Sequence, residues 1–165
     1  MCESGHTFNS LEEAMMRRAI QLSAEKMASG FGGPFGAVVV KDGAVISEGF
    51  NQVTSTNDPT AHAEVDAIRK ACQKLETFDL SGCEIYTSCE PCPMCLSAIY
   101  WARLDKIYYA NSRNDAADIG FDDEMLYREV LKPVDQRIIP TLRLLADEAI
   151  KPFEAWKNKA DKVSY

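Results

Sequence analysis

An α/β fold, in which helices cover both faces of a largely parallel or mixed sheet, follows from three features of the sequence. Stretches with helical apolar spacing alternate along the chain with short runs rich in β-branched and aromatic residues. Gly, Pro, Asn and Asp fall at the changeovers. The 165 residues are the length of one ordinary domain, large enough to bury a core without staples.

Ser10 followed by Glu13 has the pattern of a capping box and predicts a helix to about Ser29, with Met15, Ala19, Leu22 and Met27 as its core stripe. Gly30 to Gly36 is a glycine-rich turn. Strands from Ala37 to Val40 and from Ala44 to Ser47 flank Asp42-Gly43, whose tolerance of positive φ suits a tight hairpin. Asn51 to Asp58 is a polar loop closed by Asp58-Pro59, where Asp caps and Pro takes the first position of a helix to about Leu75. A strand from Glu84 to Ser88, a helix from Cys92 to Trp101 and a strand from Lys106 to Ala110 follow. After Asn111 come an acidic loop, a short helix from Glu124 to Leu131, a fifth strand over Ile138 to Leu145 and a last helix near Phe153 to Trp156. No repeat or linker interrupts the chain, so a single domain is expected over residues 1–165.

Lys and Arg total 18 against 25 Asp and Glu, a net charge of −7 spread along the chain. Nucleic-acid binding depends on clustered cations that neutralise phosphates, so this balance argues against such a partner. No apolar run approaches a membrane span, and Met1 to Asn9 lacks the basic-then-apolar pattern of an export signal. A cytoplasmic protein without a membrane partner is expected. In that setting cysteines at two-residue spacing point to metal rather than to disulfides. Cys89, Cys92 and Cys95 have that spacing, whereas Cys2, Cys72 and Cys83 carry no pattern.

The chemistry concentrates at two helix starts. Cys92 and Cys95, three apart, put both sulfurs on one side of a first turn, and a helix N-terminus favours the thiolate that binds metal. His62 and Glu64 sit at the start of the preceding helix, where both can reach past the helix end to the same point. Two thiolates and one imidazole make a three-ligand zinc site whose fourth position stays open for water. Glu64, unligated, is then free to move protons. Cys89-x-x-Cys92 offers a second register, although Cys89 ends a strand and packing beneath the site suits it better.

His62-x-Glu64 with Pro91-Cys92-x-x-Cys95 resembles the signature of the zinc nucleobase deaminases. The wider blocks narrow the likeness: Gly32 to Gly36, Asn57 to Glu64, Tyr86 to Cys95, Ala98-Ile-Tyr-Trp-Ala-Arg103 and Asp115 to Asp123 resemble the short guanine deaminases of the cytidine deaminase superfamily. The resemblance implies a three-layer α/β/α fold around a central mixed five-stranded sheet, in a homodimer that exchanges its C-terminal segment, here residues 157–165. It implies zinc on His62, Cys92 and Cys95, with Glu64 as the proton shuttle. Asn51 and Phe35 match residues that hold a small-molecule purine by hydrogen bonding and stacking. Asp123 matches an acid near the reacting amino group, and Tyr165 a residue that reaches into the partner's pocket. The reaction so implied is hydrolysis of guanine at carbon 2, giving xanthine and ammonia. Ser97 departs from the glycine or alanine expected behind the cysteines.

Three alternatives stand beside this reading. The same zinc blocks occur in tRNA adenosine deaminases, against which the acidic balance counts. Guanosine or cytosine would use the same chemistry in a differently shaped pocket. A non-catalytic zinc-stabilised module would need a fourth protein ligand, for which Cys89 is the nearby candidate, and would leave Glu64 without a role.

Overall fold

The chain enters its first helix one residue earlier than its serine suggests. In the computed structural model, which describes residues 7–164, Asn9 rather than Ser10 caps α1 (Ser10–Ala28). Asn9 Oδ1 accepts from the Leu11 and Glu12 N–H groups at 3.0 and 2.9 Å, and Glu12 Oε2 accepts the Asn9 N–H at 2.9 Å. Two capping boxes overlap here, and the sheet decides between them, because the other oxygen of Glu12 accepts the Tyr108 hydroxyl. Ala19 and Leu22 are buried as expected, whereas Met27, expected inside, is 47% exposed.

Described residues fall into two compact units, one ending at Asp123 and one starting at Glu124. The first contains β1 (Gly36–Lys41), β2 (Ala44–Phe50), β3 (Cys83–Cys89) and β4 (Lys106–Asn111) in the order β2-β1-β3-β4. β1 pairs antiparallel with β2 and β3, and β3 pairs parallel with β4. Asp42 and Gly43 both take positive φ, 49° and 76°, the requirement of a two-residue turn that matches strand twist.

This mixed sheet has four strands, not five. Residues 138–145 form no strand. Pro140 cannot donate to a ladder, and Ile138 and Leu142 are exposed, so the run lacks the pairing that a strand needs.

Successive strand residues face opposite sides, and the two faces build two cores. Ala37, Val39 and Ile85 pack with Ala63, Ala67 and Ala71 of α3 (Ala63–Leu75) and with Ile99 of α4 (Pro93–Trp101). Val38, Val40, Tyr86 and Tyr108 pack with Ala19 and Leu22 of α1. Three layers result. Tyr86 and Tyr108 stack across β3 and β4 with centroids 4.4 Å apart, worth about 1 kcal/mol beyond the area buried. Arg18 forks onto both Glu48 oxygens at 2.7 Å, tying α1 to β2. Both side chains are about one-third exposed, which limits the pair to about 1 kcal/mol or less. Gly49 brings β2 onto the first turn of α3 so closely that a Cβ there would lie 2.1 Å from the Ala63 carbonyl oxygen.

Asp58-Pro59 closes a turn instead of opening a helix. Asp58 Oδ1 accepts the Thr60 N–H and hydroxyl at 2.8 and 2.7 Å, and α3 begins only at Ala63. Two short helices, α2 (Val53–Thr56) and α5 (Arg113–Asp118), lie in stretches expected to be loop. Neither is long enough to display a helical apolar period.

In the second unit, α6 (Glu124–Leu131) has the expected bounds, and a single 3₁₀ turn spans Val134–Gln136. α7 (Ala146–Asn158) is longer than the expected 153–156 and carries Pro152 inside it. Among the described residues no helix is long and apolar enough to cross a membrane.

Candidate active site

His62 and Cys92 are the N-cap residues of α3 and α4, and neither side chain makes a capping hydrogen bond. Both have the extended backbone usual at an N-cap, with ψ of 155° and 167°, and their side chains meet each other instead of the helix ends. Pro93 at the start of α4 presets helical φ and holds Cys95 in the first turn. His62 Nδ1 lies 3.6 Å from Cys92 Sγ and 3.5 Å from Cys95 Sγ, and the three ligand atoms fall within 4.8 Å of one another.

That spacing can be tested against a metal. Zinc bonds of about 2.3 Å to sulfur and 2.0–2.1 Å to nitrogen, at tetrahedral angles, separate S from N by about 3.5 Å. The observed distances match, so the donor set fits zinc and supplies three ligands. Cys89 is outside it. Its thiol donates to the Ser112 carbonyl at 3.6 Å, and burial pushes it up to about 11, which leaves it a packed thiol at the end of β3.

Charge is shared unequally between the two nearby thiols. The hydrogen bond from Cys95, reinforced by His62, holds Cys92 down at about 4. Cys95 is raised by the Cys92 thiolate beside it and by burial. His62 is raised chiefly by its contact with Cys92.

Glu64 is buried, 6% exposed, on the first turn of α3. Desolvation raises its pKa, because a charge there has lost its water. The Thr87 hydroxyl donates to Oε1 at 3.2 Å and the Cys95 thiol to Oε2 at 3.3 Å. The carboxyl therefore stands beside the donor set without belonging to it.

Asn51, the residue after β2, and Phe35, the residue before β1, are joined by the Asn51 N–H to the Phe35 carbonyl at 3.1 Å. Asn51 is buried, and its Oδ1 accepts the N–H groups of Gly33 and Val53 at 3.2 Å each. Two backbone donors on the oxygen fix the amide's orientation and leave its NH₂ as the outward donor. Next along the chain, the Gln52 N–H bonds to the Ala61 carbonyl at 2.9 Å, which ties this loop to the residue before His62. Phe35 meets Phe121 edge to face at 4.9 Å. Asp123, two residues beyond, is raised by burial and then by the charge of Cys92, which places it within electrostatic reach of the thiolate. Tyr165 lies outside the described residues. A cavity of about 670 Å³ on the α1 face, lined by Phe8, Glu12, Tyr86, Lys106 and Tyr108 among others, contains none of these groups.

Residues 9–111 match the family model of the cytidine and deoxycytidylate deaminase zinc-binding region. The chain belongs to this deaminase family. It is similar to the guanine deaminase of Bacillus subtilis, with 55% identity over 93% of this chain and 98% of that one. The crystal structure of Bacillus subtilis guanine deaminase superposes with a TM-score of 0.91 at 54% identity, covering 96% of this chain and 99% of that chain. A tRNA-specific adenosine deaminase of Aquifex aeolicus is 47% identical over 47% of this chain and 51% of its own length.

For a deaminase of this family, the fold gathers His62, Cys92, Cys95 and Glu64 at one point from two helix starts. Thr87 was not singled out by sequence reasoning, although it lies in the quoted Tyr86 to Cys95 block. Its signal is strand alternation, since it faces the same side as Ile85 and so points at α3. Phe121 likewise lay inside a quoted block without a role, and only the tertiary contact with Phe35 reveals one.

Proposed function

We propose that this deaminase hydrolyses guanine to xanthine and ammonia. The observation that carries the reading is the reach of the likeness. Similarity to guanine deaminase runs through nearly the whole chain, including the segment beyond residue 111, whereas similarity to tRNA-specific adenosine deaminases covers 47% of it for the Aquifex aeolicus protein and 68% for the Haemophilus influenzae one. The net charge of −7 counts in the same direction.

His62, Cys92 and Cys95 would hold zinc, which when bound lowers the pKa of water from about 15.7 toward 7. Glu64 takes the proton from the attacking water and delivers it to the ring nitrogen beside carbon 2. Burial raises its pKa, which makes it a stronger proton acceptor than a solvated carboxylate. Thr87 holds one carboxylate oxygen, and the other lies on the side of the zinc ligands, 3.3 Å from Cys95 Sγ. Asp123, also raised, helps protonate the departing amino group. Asn51 directs its NH₂ to a purine acceptor, and Phe35, backed by Phe121, forms an aromatic wall for the ring. Tyr165 closes the pocket of a partner subunit in a homodimer that exchanges its C-terminal segment, within one domain per chain. The exposed Leu131, Leu142, Leu144 and Phe153 of the second unit support an intersubunit contact. The protein acts in the cytoplasm.

Ammonia release by the purified protein from guanine, guanosine, adenine, cytosine and cytidine tests the reading. Turnover of guanine well above the rest is expected. Silence on guanine with turnover of another member of the panel would overturn it.

A further inference from the structure

β2 is an edge strand, and backbone groups that β1 leaves unused are taken up by one face of α3. Lys74 Nζ donates to the Ile46 carbonyl at 2.9 Å, Lys70 Nζ to the Glu48 carbonyl at 3.1 Å, and the Phe50 N–H donates to Asp66 Oδ2 at 3.3 Å. The spacings agree. Four helix residues rise about 6 Å and two strand residues about 6.6 Å, so side chains four apart on α3 keep step with groups two apart on β2. The Lys70 ammonium also lies 2.7 Å from Asp66 Oδ2, and the Asp66 side chain is 15% exposed. Its carboxylate is thus seated from one side and loaded from the other. The Ser47 hydroxyl, buried, adds a bond to the Ala67 carbonyl at 2.7 Å.

Both ends of this fastening reach the active site. Phe50 immediately precedes Asn51. Asp66 lies one turn below the metal-ligating end of α3, and its N–H bonds to the His62 carbonyl at 3.0 Å. One residue therefore holds the backbone beside Asn51 with its side chain and the His62 peptide with its main chain. A shift of β2 along α3 would move the purine-binding amide relative to Glu64 while leaving the three zinc ligands on their helices.

We infer that Asp66, seated by Lys70, is a positioning residue that fixes Asn51, and the purine held there, against His62 and Glu64. The inference rests on the proposed reading of Asn51 as a purine-binding residue.

Titration of zinc-loaded Glu64→Gln protein with the guanine analogue 8-azaguanine reads binding without turnover. In that background Asp66→Ala should bind about fivefold more weakly, the scale of one lost hydrogen bond. Asp66→Asn, which keeps an acceptor for the Phe50 N–H, should stay within about twofold. Asn51→Ala with Asp66→Ala should bind no more weakly than Asn51→Ala alone, because Asp66 acts through Asn51. With Glu64 restored, Asp66→Ala should raise KM by a similar factor, change kcat less and keep its zinc. Unchanged affinity in Asp66→Ala, losses that add to those of Asn51→Ala, or parallel loss of zinc would overturn the inference. If Asp66→Ala does not fold, Lys70→Ala takes its place, with about twofold weaker binding expected and unchanged binding contradicting the idea. Tight binding that ignores Asp66 leaves the guanine reading standing, whereas no binding by the Glu64→Gln parent overturns both.

Discussion

Replacing Glu64 by Gln isolates proton transfer from metal binding. The site admits the amide with little change: Oε1 still accepts from the Thr87 hydroxyl, 3.2 Å away, and the NH₂ faces Cys95 Sγ, 3.3 Å away, as a donor to thiolate. All three metal donors remain. General acid-base transfer is typically worth 10² to 10⁴ in rate, about 3 to 5 kcal/mol, and kcat for xanthine formation should fall by that factor while zinc content by mass spectrometry stays at the wild-type level. Stability gives a second sign. Burial raises the pKa of Glu64 in the folded state above its unfolded value, so the folded state binds this proton more tightly, and stability falls as pH rises from the unfolded value through the folded one. The metal-free Gln variant, with no charge to bury, should match or exceed the wild-type Tm near neutral pH. Wild-type turnover with zinc bound would refute the shuttle, and a lower Tm in the metal-free variant would refute the desolvation argument.

Three further outcomes follow from the geometry. Cys92→Ala should lose zinc and Cys89→Ala should keep it, since the Cys89 thiol bonds to the Ser112 carbonyl; full metal in Cys92→Ala would reinstate Cys89 as a ligand. Asn51→Asp keeps an acceptor for Gly33 and Val53 but loses the NH₂ donor, so KM for guanine should rise about 10- to 100-fold, and an unchanged KM would remove Asn51 from the purine site. After zinc is stripped by a chelator, iodoacetamide at about pH 6 should label Cys92 first, because Cys92 is held at about 4 and Cys89 is pushed up to about 11. Peptide masses showing equal labelling of the two would contradict that order.

The zinc site was legible because its chemistry and its local structure share the same residues. His-x-Glu and Pro-Cys-x-x-Cys each mark a helix start, and a helix start is where the structure puts them. The hairpin at Asp42-Gly43 was legible for a similar reason, as its backbone angles are a property of the two residues alone. Less local features were harder to read. Asn9 and Ser10 offer equivalent caps, and the choice depends on Tyr108, nearly a hundred residues away. Asp58-Pro59 has the residues of a helix cap, but the Asp58 side chain spends its acceptor on Thr60 two residues on, and the helix waits until Ala63. The run at 138–145 has strand composition without a strand to pair with, and composition carries no information about partners. The fastening of β2 to α3 by Asp66, Lys70 and Lys74 is invisible in sequence, because spacing along a helix does not tell which strand backbone its side chains reach.

Hydrolysis of guanine at carbon 2 by a zinc-dependent site is tested most directly by the mass of the xanthine formed in heavy-oxygen water. Zinc-loaded protein should yield xanthine carrying one heavy oxygen with one equivalent of ammonia, chelated protein should yield none, and added zinc should restore the yield. Absence of xanthine with zinc bound, or xanthine without solvent oxygen, would contradict it.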